Sequence, residues 1–285
     1  MQLLSDGARG FEGSVAQRMA LTRAQFFAGL FVLGCANGLA IRMVRSIAEH
    51  GWLEATFGTY DVSLIVLAAC FAGVSLILHD KSDEIRRADL AVAVVFIVFV
   101  ALPVTSLSWL AVGGLSLYIL LSTDTDPERR GAKILLAATV PMLLMPWLFG
   151  LFSKFVLAAD GYLVGWMLGT DQNGNFVDFA DHSATVVVYP GCSSLPNMAL
   201  AFLCWVTVSQ YVGHRFRPGD ILWCLLAIVS VWAVNIVRMS IMGLSLSNYH
   251  ALHGPPGDIP TNAVQIFLMI SISLLGARRE LSSRV

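Results

Sequence analysis

The sequence predicts an all-α integral membrane protein with about eight transmembrane helices. Of its 285 residues 56% are hydrophobic and only 13% are charged, and the mean hydropathy is +0.72. A soluble domain of this size cannot hide so much apolar side chain from water. The apolar residues also form long blocks rather than the short alternating runs of a membrane β-barrel. The net charge of −1 gives no reason to expect a nucleic-acid partner.

Eight apolar segments approach the roughly 20 residues that a membrane-spanning helix needs. Pro103 is expected to make a tight outer turn between the third and fourth segments, and Pro141 and Pro146 are expected to kink the fifth. The segments form a single polytopic domain over residues 1–285, and they are residues 24–41, 62–79, 88–103, 105–122, 132–152, 192–212, 220–242 and 259–277.

The basic residues predict that both termini are cytoplasmic. With the N-terminus inside and eight alternating crossings, fourteen of the 18 Lys and Arg residues fall on the cytoplasmic side. The exceptions are Arg42, Arg45, Lys154 and Arg238. Residues 1–23 are then a cytoplasmic tail before an uncleaved first helix. The expected location is the inner or plasma membrane.

The longest outer connection, residues 153–191, is expected to hold a small extracytoplasmic loop or hairpin before the sixth span. Asp171-Gln-Asn-Gly-Asn175 is a turn signal, and Thr185-Val-Val-Val-Tyr189 has the composition of a strand. Residues 153–169 are apolar but contain Lys154 and Asp160, which favours an interfacial or re-entrant segment over a span. A calcium loop is not expected, because the glycine of the turn comes too early and the distal glutamate is absent.

Cys192 differs from the other four cysteines, which lie inside predicted spans and form no metal-binding spacing. It follows Pro190 and Gly191 at the outer mouth of the sixth helix. A helix N-terminus favours the thiolate through the helix dipole and its unpaired N–H groups. The alternative is a buried cysteine at a helix start.

Arg238 is a charge inside an apolar stretch. An arginine there costs at least about 2.5 kcal/mol and usually faces the bundle interior with a partner. Asn235 lies three residues earlier on the same helical face and can hydrogen-bond across the bundle. The alternative is that Arg238 reaches the outer headgroups.

His250 and His253 lie in the Gly/Pro-rich outer loop that follows, on the same predicted side as Cys192 and Arg238. Histidine is the side chain that titrates near neutral pH, so each is a candidate proton carrier. A nucleophile, a proton carrier and a fixed positive charge are the parts of a cysteine acyl-transfer site. No cofactor or metal is expected.

These residues resemble the motifs of the exosortase/archaeosortase family of membrane-embedded cysteine transpeptidases. Cys192-Ser-Ser-Leu is similar to the family's Cys-Ser-Gly box, Asn235-Ile-Val-Arg238 to its Asn-x-x-Arg, and His253-Gly-Pro-Pro-Gly to its downstream histidine. The motifs cover residues 185–258, while the hydrophobic profile extends the likeness over most of the chain. The sequence departs from the family at Ser194, where a glycine is usual.

The resemblance implies that Cys192 is the nucleophile, Arg238 the catalytic arginine and His253 the general acid/base. We favour His253 over His250 because of the glycine-rich turn after it. Residues 192–258 become the catalytic-motif region, and the candidate supporting or substrate-binding residues are Tyr189, Ser193, Ser194, Asn235 and His250. The implied substrate is a secreted protein with a C-terminal transmembrane sorting tail, cleaved at the outer face. The implied acceptor is an amine, an exopolysaccharide or a lipid-linked group.

Other functions remain open from the residues alone. Arg238 and Asn235 could line a transporter pathway, although the sequence has no repeat of two related halves. The protein could be a noncatalytic membrane subunit of a polysaccharide or protein export complex. A serine protease is disfavoured because Gly243-Leu-Ser-Leu-Ser247 lacks the closing glycine of the Gly-x-Ser-x-Gly motif.

Overall fold

The computed structural model describes residues 21–57, 62–80, 84–102 and 104–278. Most of the predicted cytoplasmic tail, the turn at Pro103 and the basic residues after Arg278 lie outside these residues. Within them the α-helices are α1 (Arg23–Phe57), α2 (Leu64–Leu78), α3 (Arg87–Ala101), α4 (Thr105–Ser122), α5 (Asp126–Thr139), α6 (Met145–Leu168), α7 (Leu195–Tyr211), α8 (Asp220–Met242), α9 (Leu246–Leu252) and α10 (Pro255–Gly276).

The helices show that the protein is all-helical and membrane-embedded. In the described ranges, six helical stretches are long and apolar enough to cross a membrane: α1 as far as Glu49, α4, α5 continued by α6, α7, α8 and α10. Each of the eight predicted spans contains a helix, but α2 and α3 have only 15 residues each. Such a helix is about 22 Å long, which is short of the roughly 30 Å hydrocarbon core.

Helices α5 and α6 join through a π-helical turn at Val140–Leu144, which contains Pro141. The joint must bend. Arg130 in α5 donates to Gln210 O at the end of α7 (2.6 Å), whereas Asp160 in α6 accepts from Ser194 N at the start of α7 (3.0 Å). A straight helix from residue 130 to residue 160 would be about 45 Å long, but residues 194–210 extend only about 24 Å. Proline and π turns are the usual causes of such bends.

The prediction that residues 153–191 are a loop is wrong for the first part of this range, because α6 continues to Leu168. Its exposed face carries aromatic side chains that include Trp147, Phe155 and Trp166. The two tryptophans have a polar edge, which is favourable at the interface between membrane and water, whereas the phenylalanine has none. The interfacial or re-entrant position of residues 153–169 stays a prediction.

The predicted outer hairpin is present as part of a small antiparallel sheet. Strands β1 (Gln172–Asn173), β2 (Phe176–Asp178) and β3 (Thr185–Val187) pair in that order, with Asn173 opposite Phe176 and Val177 opposite Val186. Gly174 makes the first turn with a positive φ of 63°. In the second turn Ser183 donates to Asp181 from its hydroxyl, which lowers the pKa of that carboxyl.

Close helix packing in the first half of the chain depends on glycine. A Cβ atom added to Gly131 in α5 would lie 2.6 Å from Gly73 O in α2, and one on Gly73 would lie 2.6 Å from Leu135 Cγ. Small residues let membrane helices approach closely enough for backbone contact. A larger side chain at either position would therefore clash with the neighbouring helix.

A buried ion cluster joins the ends of four helices at one end of the bundle. Arg23, 1% exposed at the start of α1, donates to both carboxylate oxygens of Asp89 in α3 (2.9 and 3.2 Å) and to Glu128 in α5 (3.2 Å). Tyr118 in α4 donates to Asp89 (2.7 Å). The Arg23 guanidinium also lies 4.8 Å from the centre of the Phe27 ring.

Other polar contacts show which helix ends lie together at each end of the bundle. At the end of the bundle that holds Arg23, Thr125 donates to Asp80 after α2 (2.7 Å), and Arg130 contacts the end of α7. Away from that end, Asn37 in α1 donates to Val100 O near the end of α3 (2.9 Å) and to Ser108 near the start of α4 (2.8 Å). Consecutive helices therefore run in alternating directions through this half of the bundle.

We expect Arg23→Met to lower the free energy of unfolding by about 3–5 kcal/mol, because it leaves the Asp89 and Glu128 carboxylates buried without their counter-ion. Thermal unfolding in detergent micelles measures the loss. Arg129→Met is the matched control, since Arg129 is exposed and should change stability by less than about 0.5 kcal/mol. Equal stability of the two variants would show that the cluster contributes little.

Candidate functional site

Cys192 lies between the sheet and α7. It is the last residue of a 3₁₀ turn, Pro190–Cys192, and Ser194 is the N-cap of α7. Its half-buried side chain packs against the apolar cluster that the sheet forms with Ile236 and Met239 of α8. The thiol is therefore at the start of a helix, as predicted, and next to α8.

The backbone N–H groups around Cys192 already have acceptors. Cys192 N donates to Tyr189 O (2.9 Å), Ser193 N to Pro190 O (3.3 Å) and Ser194 N to Asp160 Oδ2 (3.0 Å). These N–H groups are therefore not free to favour a thiolate at Cys192, in contrast to the prediction from the sequence. A carboxylate occupies that position at the start of α7 instead.

Asn235 connects α8 to the cysteine segment. Its Nδ2 atom donates to Cys192 O (2.8 Å) and to Ser194 Oγ (3.0 Å). Ser194 is 1% exposed, so its hydroxyl is a specific partner of Asn235 that a glycine could not provide. Asn235 thus connects α8 to the backbone of Cys192 and to the hydroxyl of Ser194.

The other two supporting candidates near Cys192 have different positions. Ser193 is buried, and its hydroxyl accepts from Leu195 N (3.4 Å) at the start of α7. The Tyr189 side chain is 58% exposed on the surface, and only its carbonyl contacts Cys192. Ser193 therefore stabilises the turn, while Tyr189 is free to contact a ligand.

Asp160 belongs to the site although the sequence analysis did not select it. It is 3% exposed and accepts from Ser194 N (3.0 Å) and from Trp232 Nε1 (3.1 Å) in α8. The signal was present, because a carboxylate in an apolar segment usually has a specific partner. The sequence did not indicate that this partner is the segment at Cys192, because Asp160 lies about thirty residues before it.

Arg238 contacts two other segments of the protein. Its Nη2 atom donates to the Asp258 carboxylate at the start of α10 and to Leu252 O at the end of α9 (3.2 Å). The side chain is only 14% exposed, and its Nε atom is buried with no hydrogen-bond partner among the described residues. Asp258, which follows a Gly/Pro-rich stretch of the sequence and lies in the first turn of α10, is the partner that sequence reasoning missed.

His253 ends α9 and stacks on Tyr249, with ring centres 4.7 Å apart and planes 13° apart. His250 contacts the edge of the same tyrosine ring at 5.9 Å. Tyr249 in turn lines a small cavity together with Cys192 and Met239. Tyr249 therefore lies next to both the cavity at the thiol and the two candidate proton carriers.

The three predicted catalytic residues lie around one region without direct contact. Within the described ranges, no hydrogen bond joins Cys192 to Arg238 or to His253. The connections are indirect, through Asn235 on α8 and through Tyr249 on α9. In the same part of the chain no group of three or more His, Cys, Asp or Glu side chains could hold a metal ion.

Comparison with known proteins does not extend this description: no family model, no curated protein and no solved structure matches the chain. The fold and the site define a membrane-embedded helical protein with a half-buried thiol at one end of its bundle.

We expect Asn235→Ala to lower the free energy of unfolding by about 1–3 kcal/mol, because it leaves Cys192 O and Ser194 Oγ without their donor in a buried place. Asn248→Ala is the matched control, since the Asn248 side chain makes no hydrogen bond among the described residues. Unfolding in detergent measures both variants. A loss no larger for Asn235→Ala than for Asn248→Ala would contradict the connecting role of Asn235.

Proposed function

We propose that the protein is a membrane-embedded cysteine transpeptidase or protease that cleaves the C-terminal sorting tail of secreted proteins. The hydrogen bonds from Asn235 to Cys192 O and Ser194 Oγ carry this proposal. They hold the Cys-Ser-Ser segment against the helix that carries Arg238, although the two segments are about forty residues apart in the chain. An Asn-x-x-Arg helix that positions a cysteine is the arrangement that the sequence resemblance implies.

The proposed reaction is an acyl transfer. The thiolate of Cys192 attacks the carbonyl carbon of the scissile peptide bond, and His253 gives a proton to the leaving amine as the C–N bond breaks. The substrate is then held as a thioester. An acceptor nucleophile attacks this thioester, His253 takes its proton, and the thiolate of Cys192 leaves. Arg238 stabilises the oxyanion in both steps.

The partners follow from the same proposal. The substrate is a secreted protein with a transmembrane tail, and the acceptor is a peptide amine, an exopolysaccharide or a lipid-linked group. Water in place of the acceptor makes the reaction a hydrolysis. The protein would act in the inner or plasma membrane, with Cys192 on the extracytoplasmic side.

We further infer eight crossings with both termini in the cytoplasm. The sorting of helix ends supports this topology, because Arg23, Thr125 and the end of α7 meet at one end of the bundle. The site residues belong to the other end, where α7 begins and α8 ends. Helices α2 and α3 are short for a full crossing, and local thinning of the bilayer accommodates such helices.

We expect Cys192→Ala to abolish processing of a co-expressed tailed protein, because no other group can form the thioester. His253→Gln should slow processing by about 100-fold or more, the usual contribution of a general acid/base, and His250→Gln should slow it less. Loss of the tail on an immunoblot measures each variant.

Cys224→Ala is the matched control for this experiment, since Cys224 lies in the first turns of α8, at the opposite end from Cys192. Processing by Cys192→Ala at the wild-type rate would eliminate the cysteine mechanism. It would favour the alternative that the protein is a noncatalytic export subunit or a transporter.

The topology predicts opposite results for reporters at two turns. A reporter enzyme that is active only outside the cytoplasm should be inactive after Asp124 and active when inserted at Gly174. A fluorescent protein that folds only in the cytoplasm should give the reverse pattern. The same result at both positions would require an odd number of crossings to be gained or lost between them.

A further inference from the structure

The cavity at Cys192 is too small for a substrate. Its volume is about 10 Å³, and it is lined by β3 with the residue after it, Cys192, two methionines of α8 and Tyr249. About 10–15 Å³ is needed for one water molecule. The cavity as it stands does not admit a peptide carbonyl, so a substrate that approaches the thiol through it needs one of the lining elements to move.

The lining elements differ in how firmly they are held. Strand β3 and helix α8 contribute Val186, Ile236 and Met239 to a shared buried cluster. Helix α9 has seven residues and none of them is buried. Elements with few buried contacts open at the lowest free-energy cost. Helix α9 is therefore the element that can move.

Helix α9 is held mainly at its C-terminal end. Arg238 donates to Leu252 O (3.2 Å) and at the same time binds Asp258 at the start of α10. The Tyr249 ring lines the cavity, with its centre 6.3 Å from that of Phe179, the residue after β2, and it stacks on His253. Gly254 follows with a positive φ of 96°, a conformation that glycine adopts without strain. The hydrogen bond from Arg238 to Leu252 O and the turn at Gly254 are thus close together in the chain.

We propose that α9 is a lid over Cys192, with Tyr249 as the cover and Arg238 as the latch. In the closed state the guanidinium binds the last carbonyl of the lid. A peptide carbonyl that takes the place of Leu252 O at Arg238 releases the lid and exposes the thiol. This inference rests on the proposed function only in taking Cys192 as the reacting group.

The test measures how fast Cys192 reacts with a membrane-impermeant maleimide in proteoliposomes. The other cysteines are removed by Cys35→Ala, Cys70→Ala, Cys204→Ala and Cys224→Ala. In this background Arg238→Met, which removes the latch, should raise the labelling rate about tenfold, as expected for loss of a hydrogen bond to a charged group. Tyr249→Ala, which removes the cover, should raise it by at least as much.

Matched variants separate opening from other effects. Arg42→Met and Tyr162→Ala remove exposed side chains of the same types and should leave the rate unchanged. A second reporter, Val187→Cys with Cys192→Ala, lines the same cavity and should respond to Arg238→Met in the same way. That response excludes a change in the ionisation of Cys192. A variant that keeps only the buried Cys204 reports unfolding.

Two results would overturn the lid. One is wild-type labelling of Cys192 as fast as that of an Asp181→Cys reporter in the exposed turn of the sheet. The other is an unchanged rate in both Arg238→Met and Tyr249→Ala. Labelling needs no substrate, so the lid and the proposed function fail separately: processing tests the chemistry, and labelling tests access to the thiol.

Discussion

Positive charge inside an apolar bundle must be paired, and two arginines impose this constraint at opposite ends of the protein. Arg23 is enclosed by Asp89 and Glu128, which brings α1, α3 and α5 together. Arg238 is paired with Asp258, which connects α8 to the start of α10. An unpaired charge at either place would be several kcal/mol less stable. The ion pairs thus determine which helix ends meet, while apolar packing fills the space between them.

The bend after α5 has its main consequence at the thiol. The π turn at Val140–Leu144 redirects α6 so that Asp160 reaches both the start of α7 and Trp232 of α8. Together with Asn235, this carboxylate fixes the backbone on either side of Cys192. The cysteine segment is therefore held by three helices, whereas His253 lies on a short helix with no buried residue. In the proposed mechanism, the nucleophile is therefore held more firmly than the proton carrier.

Hydropathy predicted a helix at each of the eight apolar segments and the hairpin before α7, because both depend on local pattern and turn chemistry. It could not predict the helix over residues 153–168, since Lys154 and Asp160 interrupt the apolar run and long-range partners stabilise Asp160. It also treated Arg23 as a flanking charge, because its acidic partners lie 66 and 105 residues away. Asn235 and Arg238 were found because polar and charged residues are rare in spans, and Cys192 because it differs from the other cysteines in lying at the predicted mouth of a helix. Asp258 lies in a predicted outer loop, where an acidic residue is not unusual.

The hydrogen bonds of Arg238 connect the access of a substrate to Cys192 with the proposed acyl transfer. In the closed arrangement Nη2 is already committed to Asp258 and Leu252 O. The Nε–H group is buried and has no acceptor in the described chain, so it is a donor that a substrate oxygen can take without breaking the ion pair with Asp258. An unpaired buried donor is costly, and an incoming oxyanion would relieve that cost. In the proposed mechanism, a peptide carbonyl that displaces Leu252 O from Arg238 would thus reach the guanidinium in the same step that frees α9 from the cavity at Cys192.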